Sequence, residues 1–288
     1  MSIELNPLSD AIGVEIHGAD LSRPLSDEDF ADIEAAWNAH ALLLFRGQTL
    51  TPQQHIAFSA RFGELAIHVL DQWRLQDHPE IIIVSNVRKD DKPIGIYNAG
   101  RYWHTDLSYM QAPSRGSLLY AIEVPRDGDR VLGDTTFANT TAAFAGLDEA
   151  TKTKIADLTA TFSLSHQRAK LLKDGDTGAS LTPEQLAKTP VCVHHIVQEH
   201  PVTGRKLLFI NEGHTIEIQG LAEDEQRALR EQLCAHCTKP EFTYRHNWRE
   251  GDLLMWDNVQ TQHLAHFDYE QSQPRYMLRT TLRGAEMH

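Results

Sequence analysis

The first strong pattern along the chain is a helical one. The stretch LSDEDFADIEAAWNAH places Phe30, Ile33 and Trp37 three and four positions apart, which is the spacing of one face of an α-helix. Ser26 stands just before this run, where a serine accepts a hydrogen bond from the first helical N–H groups. The pattern therefore predicts an amphipathic helix that begins after Ser26.

A second helix is indicated by TPQQHIAFSARFG. Thr51 is a capping residue, Pro52 suits the first helical position, and Gln54 completes a capping box. Gly63 follows the last turn, where glycine often ends a helix. Two further amphipathic helices are expected in LDEATKTKIADL and in LAEDEQRALREQLCAHC.

Between the helices lie short runs of leucine, β-branched and aromatic side chains, bounded by Gly, Pro, Asn and Asp. The predicted strands are ALLLF (41–45), EIIIVS (80–85), SLLYAIEV (117–124), KLLFI (206–210), DLLMW (252–256) and RYMLRTTL (275–282). The later strands do not alternate regularly with helices, as a βαβ series would require. We therefore predict one domain over residues 1–288, mostly β with peripheral helices, whose core is a barrel or a jelly roll.

Composition and charge exclude some functions. The formal net charge of −13 disfavours nucleic acid or an anionic membrane as a main partner. No apolar run approaches the roughly 20 residues of a membrane span. The first residues, MSIELNPLSDAIG, lack the basic and apolar regions of a signal peptide. We therefore expect a cytoplasmic protein without a membrane partner.

The cysteines are too few and odd in number for a disulfide framework, since only Cys192, Cys234 and Cys237 occur. Cys234 and Cys237 form the stretch CAHC at the end of a predicted helix. A redox pair or half of a zinc site is one interpretation. Without a second such pair, buried packing thiols are the expectation.

The stretch RYWHTDLSYM contains the first candidate chemistry. His104 and Asp106 are two positions apart, and on a strand both side chains would point to the same face. An imidazole and a carboxylate suit a divalent transition metal, and a second histidine would complete the two-histidine, one-carboxylate site of non-haem Fe(II) oxygenases. The alternative is an ordinary polar pair on a half-buried strand.

The third ligand would have to be another histidine. His55 and several others lie in surface-like or helix-end contexts. The best context is GDLLMWDNVQTQHLAHFDY, in which an apolar strand and a polar turn precede His263, with His266 as a competitor. Further on, Arg275 and Arg279 are four apart and share a strand face. They predict either a clamp for a carboxylate or a pair of structural salt bridges.

Taken together, these stretches resemble the taurine dioxygenase and 2,4-dichlorophenoxyacetate dioxygenase family of Fe(II)- and 2-oxoglutarate-dependent enzymes. The matching stretches follow the family order over most of the chain: ALLLFRGQ, QQHIAFSARFGEL, YWHTDLSY, GDTTF, HPVTGRKLLFINEG, KPEFTYRHNW, GDLLMWDNVQTQHLA and RYMLRTTLRG.

The resemblance implies a cupin-like double-stranded β-helix, or jelly roll, with helices packed outside. It assigns His104, Asp106 and His263 as ligands of Fe(II), and it favours His263 over His266. It also implies that Arg275 binds the distal carboxylate of 2-oxoglutarate, helped by the hydroxyl of Thr135. Members of the family are often dimers or tetramers, so it implies a homo-oligomer.

The resemblance places the primary substrate near three residues: Arg279, His68 and His214. Arg279 matches a position that binds the substrate's anionic group, and His68 matches another substrate contact. His214 stands where the family's sulfonate enzyme has a phenylalanine. Asp71 replaces a tyrosine and Gly100 replaces an asparagine of that enzyme. We therefore doubt taurine as the substrate and expect one that is more polar or larger.

The implied activity is oxidation by O2, in which 2-oxoglutarate becomes succinate and CO2 while a small anionic organic substrate is hydroxylated. A hydroxylated sulfonate, phenoxy acid or similar compound would then be cleaved. Two alternatives stay open from the residues: a non-catalytic jelly-roll protein that binds a small molecule, and a zinc hydrolase that uses the same three ligands.

Overall fold

The computed structural model describes residues 3–68, 71–97, 100–174 and 180–286. This part of the chain is mostly strands with peripheral helices, as predicted. The helices are α1 (Asp27–His40), α2 (Pro52–Ala60), α3 (Thr140–Ala145), α4 (Glu149–Ile155), α5 (Leu164–Lys173), α6 (Pro183–Lys188) and α7 (Glu223–Cys237), with 3-10 turns at Asp71–Trp73 and Pro240–Phe242. No helix in these ranges is long and apolar enough to cross a membrane.

The strands include all six of the predicted ones. They are β1 (Glu4–Pro7), β2 (Val14–His17), β3 (Leu42–Phe45), β4 (Arg74–Leu75), β5 (His78–Ser85), β6 (Arg88–Lys89), β7 (Lys92–Pro93), β8 (Gly116–Glu123), β9 (Arg126–Asp127), β10 (Arg130–Val131), β11 (Thr135–Asn139), β12 (Thr159–Phe162), β13 (Cys192–His195), β14 (Val197–Glu199), β15 (Lys206–Leu208), β16 (Thr215–Ile218), β17 (Thr243–His246), β18 (Leu253–Asp257), β19 (Thr261–Ala265) and β20 (Tyr276–Leu282).

Both predicted N-terminal helices begin at their expected caps. The Ser26 hydroxyl accepts from the backbone N–H of Asp29 in front of α1. The Thr51 hydroxyl accepts from the N–H of Gln54, whose side chain binds back to the Thr51 N–H, so the capping box is formed. Each cap satisfies N–H groups that a helix leaves unpaired at its start, and contributes about 1 kcal/mol.

The largest sheet has eight strands in the order β1-β2-β3-β18-β8-β20-β5-β4. Its central strands are buried on both faces, which explains their continuous apolar sequences. In β3, Leu42 and Leu44 face one hydrophobic core while Leu43 and Phe45 face another. Complete burial of such a side chain contributes roughly 1.5–3 kcal/mol to folding.

Different layers cover the two faces of this sheet. Helices α1 and α2 cover one face through Ile33, Trp37 and Phe58. The opposite face packs on Phe137 of β11 and on Trp248. Strand β11 is the middle strand of a smaller sheet with the order β17-β11-β19. The space between the large and small sheets holds the candidate site.

The strand expected at the His104 and Asp106 segment is not formed, and that prediction is wrong. His104 makes one isolated β-bridge with His263, and Asp106 already lies in a turn. Leu107 has a left-handed φ of 57°, and the N–H of Met110 donates to the Leu107 carbonyl at 2.9 Å. A left-handed residue ends extended backbone, so the turn, and not strand alternation, aims the Asp106 carboxylate.

Candidate active site

The site is built on a backbone pairing between two distant segments. His104 and His263 exchange both N–H···O bonds, with N···O distances of 3.1 and 2.9 Å. This places the two imidazole rings side by side, with centroids 4.1 Å apart. The Asp106 Oδ1 lies 3.6 Å from the His104 Nε2. One ligand atom from each of His104, Asp106 and His263 lies within 4.8 Å of the other two.

The surroundings of the His104 and His263 rings suit metal binding. The His104 Nδ1 faces the carbonyl oxygens of Tyr102 and His263 at 3.0 and 3.1 Å. Carbonyl oxygens only accept, so Nδ1 carries a hydrogen and Nε2 is the ring nitrogen that faces Asp106 and could bind a metal. The ring of His263 packs between Phe137 and Trp256, and its buried Nδ1 has no hydrogen-bond partner among the residues that the structure describes.

Electrostatics keep Asp106 and His263 in the forms that bind a cation. Burial alone would raise the pKa of Asp106, but the guanidinium of Arg279 and the two imidazoles hold this pKa well below its usual range. Burial, and then the neighbouring His104, hold the pKa of His263 well below its usual value. A carboxylate beside two imidazoles is a donor set for a divalent transition metal, so these residues fit Fe(II).

Arg275 is a buried cation that has no acidic partner in the described part of the chain. It is 5% exposed, its Nε is unpaired, and no other described residue forms an ion pair with it. The side chain of Asn86 accepts from its backbone N–H at 2.8 Å, and the Ser85 hydroxyl donates to its carbonyl at 2.7 Å. Burial lowers the pKa of Arg275. A guanidinium in this position needs a bound anion to offset its desolvation.

Thr135 lies on β11, opposite Ala265 of the strand that carries His263. Its hydroxyl oxygen accepts from the indole N–H of Trp248 at 3.0 Å. The hydroxyl hydrogen is therefore available to donate to another group. Tyr269, which the sequence did not indicate, lies near Arg275, and its ring packs against Gly133, two residues before Thr135.

A cavity of about 290 Å³ is lined by Arg279, whose side chain contacts the candidate ligand Asp106. Arg279 and His68 line it together with Tyr109 and apolar side chains such as Ile82 and Leu107. The Arg279 Nη1 donates to the Asp106 Oδ1 at 3.0 Å, so the cavity is joined to the candidate metal ligands. Burial, followed by the charge of Arg279, lowers the pKa of His68 to about 4, so His68 is neutral near pH 7.

His214 is buried between the rings of His104 and Tyr109, with centroid distances of 5.9 and 4.9 Å. Burial lowers its pKa to about 3. Asp71, in contrast, is exposed in a short 3-10 turn and does not join this group.

Gly100 has a physical reason to be glycine. Its φ is 87°, and a Cβ there would lie 3.2 Å from the Ala265 Cβ and 3.3 Å from the His104 Cε1. An asparagine in this position would have to displace the ring of a candidate ligand.

The competing histidines do not join the cluster. His266 binds the Thr136 hydroxyl at 2.7 Å through its Nε2. His55, for which a surface-like or helix-end context was expected, lies near the start of α2 and not at the surface. Its ring is fully buried and lies 3.3 Å from the hydroxyl of Thr280, because α2 packs directly on β20.

Comparison with known proteins gives the family. The family model described as "Taurine catabolism dioxygenase TauD, TfdA family" matches residues 4–281. An (S)-phenoxypropionate/alpha-ketoglutarate-dioxygenase of Sphingobium herbicidovorans is 33% identical over 98% of this chain and 96% of that protein. An alpha-ketoglutarate-dependent 2,4-dichlorophenoxyacetate dioxygenase of Cupriavidus pinatubonensis is 34% identical over 90% of each chain.

Among solved structures, AAD-2 in complex with Mn(II) and N-oxalylglycine superposes with a TM-score of 0.82 at 33% identity, covering 100% of this chain and 99% of that one. The chain belongs to the TauD/TfdA family of dioxygenases. The prediction of an oxidoreductase that uses Fe(II), 2-oxoglutarate and O2 is thereby confirmed.

Proposed function

We propose that this dioxygenase hydroxylates a small organic anion with an apolar body, and that His104, Asp106 and His263 hold its iron. The observation that carries the proposal is the convergence of these three buried ligand groups within 4.8 Å, beside a cavity that contains Arg279. Bound iron supplies the oxidising chemistry by which 2-oxoglutarate and O2 yield succinate, CO2 and a hydroxylated product.

Arg275 is the proposed partner of the distal carboxylate of 2-oxoglutarate. Its buried guanidinium has no acidic neighbour among the described residues, and its backbone is fixed by Asn86 and Ser85. A planar guanidinium binds a carboxylate through two parallel hydrogen bonds. The Thr135 hydroxyl, which accepts from Trp248, has its hydrogen left to donate to the same carboxylate.

Arg279 and His68 are the proposed contacts of the substrate's anionic group. Both line the cavity, and the His68 ring is neutral near pH 7, so it donates without adding charge. Ile82, Leu107 and Met110 provide an apolar wall. This combination suits a phenoxy acid or an alkyl sulfate ester better than a short polar sulfonate such as taurine.

His214 is the third proposed substrate contact, and its hydrogen-bond role can be derived. Its backbone N–H donates to the Asn211 Oδ1 at 2.8 Å, so the Asn211 amide N–H points to the Ser108 hydroxyl, 3.1 Å away. That hydroxyl then donates its own hydrogen to the His214 Nδ1 at 3.0 Å. The hydrogen of the neutral ring therefore lies on Nε2, where it can meet an acceptor atom of the substrate.

A substrate panel scored by succinate production tests this function. The panel contains 2-phenoxypropanoate, 2,4-dichlorophenoxyacetate, hexyl sulfate and taurine, each with Fe(II), 2-oxoglutarate and O2. We expect succinate release above the substrate-free rate with at least one compound that has an apolar body, and little with taurine. Consumption of the primary substrate that persists without O2, or with zinc in place of iron, would point to a zinc hydrolase instead.

An anaerobic mixture of protein, Fe(II) and 2-oxoglutarate separates the enzyme from a non-catalytic binding protein. We expect a weak visible charge-transfer band, and a colourless mixture would favour the binding protein. The jelly-roll core, the single domain over residues 1–288, the homo-oligomer and the cytoplasmic location stay predictions from the sequence.

A further inference from the structure

A chain of buried hydrogen bonds ends on the carboxylate of Asp106. It starts at Trp256 on β18, whose indole Nε1–H donates to the Asn258 Oδ1 at 2.9 Å. An indole nitrogen can only donate, so this bond fixes which end of the Asn258 amide is oxygen and which is nitrogen. The Asn258 backbone is fixed as well, because its N–H donates to the Arg115 carbonyl at 3.1 Å.

The amide nitrogen of Asn258 then meets two serines. Its Nδ2 lies 2.8 Å from the Ser114 hydroxyl and 2.9 Å from the Ser117 hydroxyl. Each serine oxygen accepts one of the two amide hydrogens, so each serine has its own hydrogen left to donate elsewhere. Asn258 and Ser117 are fully buried and Ser114 is 1% exposed, so water does not compete for these groups.

Both serine hydrogens go to Asp106. The Ser117 hydroxyl donates to the carboxylate Oδ2 at 2.7 Å, and the Ser114 hydroxyl donates to the backbone carbonyl at 2.9 Å. The Asn258 amide therefore holds both the side chain and the backbone of Asp106 through the two serines. A hydroxyl bound to a carboxylate makes a charge-assisted hydrogen bond, about twice as strong as a neutral one.

We propose that Ser117 and Asn258 are positioning residues for the metal ligand Asp106. Ser117 occupies the Oδ2, so the Oδ1 is the oxygen that would bind the cation; it lies 3.6 Å from the His104 Nε2 and accepts from the Arg279 Nη1 at 3.0 Å. The carboxylate then binds through one oxygen, and its orientation is set before the metal arrives. This inference rests on the proposed iron site. The inference also accounts for Trp256 and Asn258 in the sequence WDN before β19. The Trp256 indole orients the Asn258 amide, and this amide orients the two serines.

The test is Mn(II) binding to the metal-free protein, measured from the EPR signal of free Mn(II) without any substrate. Ser117→Ala should bind Mn(II) about 10- to 100-fold more weakly, the usual effect of removing a group that orients a metal ligand. Ser117→Thr keeps the hydroxyl and should recover most of the affinity. Thermal unfolding of each metal-free variant checks that it is folded.

The matched control is Ser59→Ala. The Ser59 hydroxyl is fully buried and lies 2.7 Å from the Thr280 hydroxyl, but it has no bond to Asp106. The Ser59→Ala protein should bind Mn(II) like the unsubstituted protein. If Ser117→Ala is folded and also binds Mn(II) normally, the positioning role is overturned while the iron site stands. If the unsubstituted protein and Asp106→Ala bind Mn(II) equally, the iron site itself is wrong, and the inference fails with it.

Asn258→Asp provides a second test with almost no change of shape. An aspartate there accepts from Trp256 but cannot donate to the serines, so the serine hydrogens would turn toward position 258 and away from Asp106. Mn(II) affinity should fall at least as far as in Ser117→Ala. Normal affinity in a folded Asn258→Asp protein would contradict the proposed donor direction.

Discussion

Asp106 has different partners for its two carboxylate oxygens. Ser117 donates to the Oδ2, while the Oδ1 faces His104 and Arg279. The residue is therefore held by neutral donors on one side and by charged or ligating groups on the other. A substitution at this position removes a candidate ligand and also leaves the buried charge of Arg279 without its partner.

Asp106→Ala should abolish substrate-dependent succinate formation in the presence of added Fe(II), because two histidines alone hold a divalent metal weakly. Succinate release and Mn(II) binding are the measurements, and Asp71→Ala is the control because Asp71 is exposed in its 3-10 turn. Normal turnover by the Asp106 variant would show that another residue completes the metal site.

Arg275→Ala should raise the concentration of 2-oxoglutarate needed for half-maximal rate by about a hundredfold, because loss of one partner from a buried charged pair costs about 2–5 kcal/mol. The matched variant is Arg279→Ala, which should chiefly raise the requirement for the primary substrate. If the two variants show the opposite pattern, the roles of the two arginines are exchanged.

At the level of single residues, the choice between candidate ligands depended on family motifs. From the residues alone, His263 had the best context, but His266 in the same stretch stayed a competing candidate. The choice between them depends on which residue of β19 bridges to His104, and that register forms only in the folded chain. Ser117 and Asn258 had no signal, because buried serine and asparagine side chains are common in strands and turns.

At the scale of secondary-structure elements, the local sequence predicts where a helix begins better than it predicts a turn. The caps at Ser26 and Thr51 were correct because a cap depends on a few neighbouring residues. The extended conformation expected around His104 and Asp106 was wrong, because Leu107 adopts a left-handed conformation that its side chain does not favour locally. Tertiary contacts, including the donors from Ser114 and Ser117 to Asp106, stabilise that turn.

Gly100→Ala tests how closely this segment packs on the site. The new Cβ would lie 3.3 Å from the His104 Cε1, at a φ of 87°, so both strain and collision are expected. Mn(II) affinity should fall several-fold because the imidazole is displaced, and stability should fall by about 1 kcal/mol or more.

The matched control for this prediction is Gly128→Ala. Gly128 has a φ of 59°, and no described residue other than its chain neighbours lies within 4 Å of its Cβ position. The Gly128→Ala protein should lose stability through backbone strain alone and bind Mn(II) normally. Equal Mn(II) affinities in the two variants would show that the His104 ring tolerates the additional methyl group.

At the scale of the whole molecule, the site depends on strand order. Strand β18 lies between β3 and β8, and β20 lies between β8 and β5, so neighbours in the sheet are far apart in sequence. His104 and His263 are separated by 159 positions and still share a backbone pairing. The hydrophobic pattern could predict that these strands exist. It could not predict their order, because many pairings bury the same apolar faces equally well.

The same packing buries histidines as neutral groups, and this makes stability depend on pH. Burial lowers the pKa of His55 to about 4, against about 6.5 in the unfolded chain. The unfolded state therefore binds the proton first. The contribution of His55 is complete above pH 6.5 and is lost as the pH falls toward 4. His55→Gln should remove this part of the acid sensitivity.

Urea unfolding at pH 7 and at pH 5 measures the effect. Between these two values the unsubstituted protein should lose about 2 kcal/mol more stability than His55→Gln, because protonation of one histidine is then linked to unfolding. Ser59 contacts the same Thr280 hydroxyl but does not titrate, so Ser59→Ala removes this contact and should keep the full pH dependence of the unsubstituted protein. If His55→Gln and the unsubstituted protein show the same pH dependence, His55 is protonated in the folded protein as readily as in the unfolded chain. The contact between α2 and β20 would then tolerate a charged imidazole.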